Sequence, residues 1–94
     1  SNSAEGEVCR EFVNGPWNGD LRAVDESELI VYSHETIKTF ETLRIEGIPR
    51  KVAVLSQIHF IYELDEIDDV FVCLVAGTKA ECEAFMERKL GDSE

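Results

Sequence analysis

Apolar and polar positions change rhythm several times along the chain, and the organising stretch runs from Glu28 to Val54. It reads LIVYS, HETIKTFETLRIE, GIP and RKVAVL, which predicts a strand, a helix, a stop signal and a second strand. Leu29-Ile30-Val31-Tyr32 sets four residues together that suit a pleated surface. A single helix over 26–45 competes with this reading. The Asp25-Glu26-Ser27-Glu28 spacing resembles a capping box, and Val24 with Leu29 would form a hydrophobic staple. That helix would put Val31 on the wrong face, so the preferred reading is a strand over 28–33 and a helix from Ser33, capped by its hydroxyl. Ile37, Phe40 and Leu43 would be its buried stripe. Gly47 fits the left-handed residue that closes a helix, Ile48 would touch Leu43, and Pro49 forbids continuation.

The other segments are read around this unit. Glu7–Val13 alternates loosely and predicts an edge strand. Asn14-Gly15-Pro16 and Asn18-Gly19-Asp20 are turn signals on either side of Trp17, which is expected to cap the rim of the core, with stacking on a ligand as the alternative. From Arg50 to Leu64 the chain alternates for fifteen residues. Val52, Val54, Ser56, Ile58, Phe60, Tyr62 and Leu64 fall on one side; Ala53, Leu55, Gln57, His59, Ile61 and Glu63 fall on the other. That exceeds the usual strand length and predicts a bulge or break near Ser56-Gln57. An acidic turn at 64–69 then leads into a strand over 69–76, paired antiparallel as a hairpin. Thr78-Lys79-Ala80-Glu81 is a capping box, and Cys82, Phe85, Met86 and Leu90 recur at helical spacing before Gly91.

The element order is therefore β, β, α, β, β, α, within a single domain over 7–91. Residues 1–6 and 92–94 are expected to be disordered ends, and Ser1-Asn2-Ser3 to be a cloning scar or a processed end. The expected fold class is α+β: a two-layer sandwich with a mixed sheet of about four strands and two helices on one face. Strands 28–33 and 50–56 would lie parallel, joined by a right-handed crossover. This layout resembles a ferredoxin-like sandwich or a permuted variant of one.

Composition narrows the partners. Twenty acids against nine bases give a net charge of −11, a field that repels phosphate backbones and anionic membranes. Neither nucleic acid nor membrane is expected as a partner, and the longest apolar run, seven residues over 70–76, is far short of a span. Cys9, Cys73 and Cys82 form no CxxC pair and no even framework, which points to a reducing, cytoplasmic setting. Cys73 and Cys82 read as small core side chains.

Candidate chemistry is sparse. Ser33, His34 and Glu35 would cluster at a strand-to-helix junction, where ligands collect in α/β units. His34 and His59 are the candidate acid–base residues, with Glu35 beside them. Trp17, Ser33, Gln57 and Tyr62 are candidate ligand contacts. Each also has a plain structural role open to it: a cap, a satisfied strand residue, or buried aromatic area. No compact set of zinc ligands appears, and the acids over 65–69 lack the spacing of a calcium loop, so neither metal nor cofactor is expected. Apolar residues on both sides of 52–62 call for cover on two faces, and a second copy of the chain is the expected source. The leading expectation is a binding or interaction module acting as a homodimer, with a small molecule or a protein as ligand. Two alternatives are a small cofactor-independent enzyme using His34 or His59, and an acidic antagonist of a basic protein.

Overall fold

A computed structural model describes residues 6–92. Five strands are followed by one helix: β1 (Glu7–Val13), β2 (Leu21–Asp25), β3 (Ile30–Ile45), β4 (Ile48–Asp65), β5 (Val70–Gly77) and α1 (Lys79–Asp92). They form one curled, mixed sheet in the order β2-β1-β5-β4-β3, with only the β1–β5 pairing parallel. The two-helix sandwich and its ferredoxin-like layout are therefore overturned. Strand β1 coincides with the segment read as a strand, but it lies between β2 and β5 and is not the edge strand expected; the edge is β2, which has no counterpart in the sequence reading. The expected disorder of residues 1–5 and 93–94 lies outside the described residues; at the other two positions, Gly6 accepts a hydrogen bond from the Glu26 amide at 2.7 Å and Asp92 is the last residue of α1, so neither is a loose end.

The largest correction is the stretch from Ser33 to Glu46, which is strand, not helix. Thr36, Ile37, Thr39, Phe40 and Thr42 are residues that lose side-chain freedom in a helix and pack well on a pleat. The Ile37–Phe40–Leu43 spacing is incidental to that preference. Gly47 serves a hairpin turn and not a helix cap. Glu46 and Gly47 carry φ of 56° and 79° between the paired Ile45 and Ile48, the two positive-φ positions of a type I′ connection. Strand β3 therefore folds back antiparallel on β4, from Ile45↔Ile48 to Ile30↔Glu63, and the parallel crossover expected between these two segments is replaced by a hairpin. The break expected near Ser56-Gln57 is also displaced. It lies at Ile61/Tyr62, where β5 carries the unpaired Leu74.

Period-two alternation gives the sheet two faces of different chemistry. On one face Phe12, Phe60, Tyr62 and Phe71 are fully buried, with Val24, Val31, Ile58, Leu64 and Cys73 around them. The rings pack in stacked and edge-on contacts, Phe12 to Phe71 at 5.0 Å and Phe12 to Tyr62 at 4.9 Å. On the opposite face lies α1, with Cys82 buried and Phe85 and Met86 half-buried against β4 and β5. Thr78 and Glu81 exchange the two capping bonds expected of them, at 2.8 and 3.1 Å. Leu90 faces outward, and Lys89 takes the inner position, pairing with Glu63 at 3.1 Å. Among the described residues no helix is long and apolar enough to cross a membrane.

Beyond the body the β3–β4 hairpin continues alone. Strand β5 stops at Gly77, opposite His59, so residues 36–57 form a two-stranded arm paired only to itself. Ten residue pairs at roughly 3.3 Å per residue make the arm about 33 Å long. It accounts for the elongated dimensions of 59 × 37 × 24 Å.

Candidate functional site

Two clefts open where the arm leaves the body, one on each face. The first, about 490 Å³, is lined by Gly15, Pro16, Glu35, Ile37, Ile58 and Ala76 on the aromatic face. Its rim is built by the 14–20 loop. Tyr62 holds that loop down: its hydroxyl donates to the Asn14 carbonyl at 2.5 Å and accepts from the Trp17 amide at 2.8 Å. Trp17 packs on Phe12, Phe60 and Tyr62, with the Arg22 guanidinium 3.7 Å above its ring. Its indole nitrogen donates to Glu35 at 2.8 Å. These contacts engage Trp17 and Tyr62 as packing residues. Burial pushes the Tyr62 phenol above the ordinary tyrosine value, against the smaller downward pull of the Trp17 amide.

The second cleft, about 480 Å³, lies on the helix face and gathers Tyr32, Ser33, His34, Gln57, His59, Lys79 and Glu83. His34, Gln57 and His59, all singled out in the sequence, thus meet here, for a reason that differs from the expected one; Ser33 also lines the cleft but stands opposite Phe60, on the aromatic side of the pleat. His34 is not in the first turn of a helix; it stands directly opposite His59 across the β3–β4 ladder. Their ring centres are 5.3 Å apart and tilted by 33°. Glu35, the next residue along the strand, is turned to the other face by the pleat and bonds Trp17. The cluster of Ser33, His34 and Glu35 is therefore divided between the two clefts. Tyr32 lies 6.3 Å from His59, edge-on, and its phenol is pushed above the ordinary value by burial, with smaller contributions from Cys82 and Glu83. Lys79 and Glu83 come from the first turns of α1, and no sequence signal linked them to the histidines.

The arm itself is the third feature. On the aromatic face it carries Ile37, Thr39, Leu43, Ile45, Ile48, Val52 and Val54, with Glu41 and Arg50 as diagonal neighbours. This stripe runs from the first cleft to the tip. The other face carries Phe40, Ala53 and Leu55 among Lys38, Arg44 and Lys51, with the two lysine ammoniums about 6 Å from the Phe40 ring. Four of the nine bases but only two of the twenty acids, Glu41 and Glu46, lie on the arm and its turn. The arm is thus basic, and the acidity of the chain belongs to the body.

Among the described residues no group of three or more histidine, cysteine or acidic side chains is placed to hold a metal ion. Burial pushes the Cys73 and Cys82 thiols up in pKa, which disfavours the reactive thiolate; Cys9 is exposed. No protein-family model, curated protein or solved structure matches the chain.

Proposed function

We propose that the protein is a non-enzymatic interaction module that works as a homodimer, with the apolar face of the arm covered by the same face of a second copy. The observation that supports it is surface in excess of what a folded chain of this size exposes. The accessible area is 6814 Å², against about 5,500 Å² for a compact 10.6 kDa monomer. The radius of gyration is 17.9 Å, where about 12 Å is usual for this length. The surplus of about 1,300 Å² per copy is the area that a stable homodimer interface removes. A two-stranded ribbon in water is marginal by itself, and this one holds Ile37, Leu43, Ile45 and Ile48 each more than a third exposed. Lys38, Arg44 and Lys51 mark the opposite face as the one that stays in water.

Light scattering on the full chain over a hundredfold range of concentration tests the reading. A stable mass of twice 10.6 kDa down to low micromolar concentration is expected. A monomer at tens of micromolar would overturn it.

A further inference from the structure

We propose that His34 and His59 form a two-imidazole chelate for a divalent late transition-metal ion, of which Ni²⁺, Zn²⁺ and Cu²⁺ are the candidates. Imidazole nitrogen binds such ions at about 2.0–2.1 Å, which puts each ring centre roughly 3.2 Å from the metal. Two imidazoles on adjacent positions of one tetrahedral ion then have centres about 5 Å apart. His34 and His59 stand at 5.3 Å, so the separation of their rings already matches that of two imidazoles on one ion. The strand register fixes this spacing, because the two residues are directly opposite in an antiparallel pair.

The surroundings are compatible with a bound cation. Among the described residues neither imidazole takes part in a hydrogen bond or an ion pair; each has ring contacts alone. Neither ring is therefore tied to a carbonyl or carboxylate, as a structural histidine usually is, and both line the cleft. Glu83 lines the same cleft and offsets the charge of Lys79 beside it. With two protein ligands, the remaining coordination positions are open to water or to a small anionic ligand. Imidazole donors select the borderline ions of the late first row, whereas Mg²⁺ and Ca²⁺ require oxygen cages that the cleft does not provide. A bound ion would also join β3 to β4 at the last rung that β5 still pairs, His59↔Gly77. Both histidines belong to one chain, so the pair does not depend on self-association.

The test is calorimetric titration of the full, untagged chain with Ni²⁺ alone at neutral pH, in a Cys9→Ser background that removes the exposed thiol. One ion per chain at micromolar affinity is expected, with His34→Ala and His59→Ala each weakening it at least tenfold. The double variant should lose little more than either single one, because each single change already breaks the chelate. Unfolding temperature should rise with Ni²⁺ in the parent and not in the variants, and Mg²⁺ should leave it unchanged. Imidazole proton resonances give a readout that does not depend on the alanine variants folding: Ni²⁺ should broaden both histidines together at one stoichiometric point. Affinity weaker than millimolar, retention of full affinity by either single variant, or broadening of one histidine only would each overturn the proposal.

Discussion

The Tyr62 hydroxyl donates to the Asn14 carbonyl at 2.5 Å across 48 residues of chain. The same oxygen accepts from the Trp17 amide, so one phenol pins both ends of the tight segment that carries the indole onto the aromatic core. Tyr62→Phe keeps the ring and its contacts with Phe12 and Phe60 but strands a carbonyl and an amide in a part-buried setting. Loss of a partner in such a place costs about 1–3 kcal/mol. We expect an unfolding free energy lower by that amount, read as a lower denaturant midpoint with the slope unchanged. The Trp17 emission should shift to the red as the loop lifts, and unchanged stability and emission would remove the pinning role.

The same residue sets an alkaline limit. Burial raises the Tyr62 pKa in the folded chain above its unfolded value. Its contribution is therefore complete below about pH 10, the ordinary tyrosine value. As pH rises past that point the unfolded chain ionises first, and stability falls until the folded value is passed. Tyr32 is shifted in the same direction, so Tyr62→Phe should remove only part of the slope above pH 10. Unfolding curves at pH 8, 10 and 11 measure it, and an equal slope in the two proteins would contradict the assignment.

Gly15 and Gly19 stand on either side of Trp17, both at positive φ, and separate two costs of adding a side chain. At Gly15, φ is 68° and a Cβ would meet the Cys73 sulfur at 2.6 Å and the Tyr62 hydroxyl at 2.9 Å. At Gly19, φ is 87° and nothing lies within 4 Å. Gly19→Ala should therefore cost about 1–2 kcal/mol from backbone conformation alone. Gly15→Ala should cost a further 1–3 kcal/mol or so for the forced overlap. Equal losses in thermal unfolding would mean that the loop does not rest on Cys73 as described.

What the sequence disclosed was local, and what it hid depended on partners far along the chain. Thr78 and Glu81 form their capping box because both members lie within one turn. Glu7–Val13 and the hairpin into β5 follow from short-range alternation and the turn between them. The 33–46 segment misled because Ile37, Phe40 and Leu43 fit a helical stripe while Gly47 and Pro49 imitate a helix stop. The deciding information was the threonines at 36, 39 and 42 and the Glu46-Gly47 pair between two isoleucines, which together spell a long hairpin. His34 and His59 were legible as candidates singly. Their meeting was not, because it requires the β3–β4 register that the helix assignment had ruled out. Lys79 and Glu83 reach the same cleft only through the docking of α1, which leaves no mark at their positions.

Val54 and Leu55 are neighbours in β4 that face opposite sides of the arm, and they separate dimer formation from mere exposure. Leu55 is 68% exposed, and Val54, paired with Thr39, is half-buried. If exposed apolar area alone drove association, Leu55→Glu would be the more disruptive change. The proposed interface instead uses the face of Ile37, Leu43 and Val54, where a two-fold axis would bury any new carboxylate twice. An unpaired charge in such a place costs several kcal/mol, so Val54→Glu should weaken the dimer by about a hundredfold or more and give a monomer at tens of micromolar. Leu55→Glu, set among Lys38, Arg44 and Lys51, should leave the dimer intact and gain from those charges. Circular dichroism of both variants should keep the strand signal, since neither position touches the body. Sedimentation equilibrium of the pair reads the answer directly. A monomer with Leu55→Glu and a dimer with Val54→Glu would reverse the face assignment.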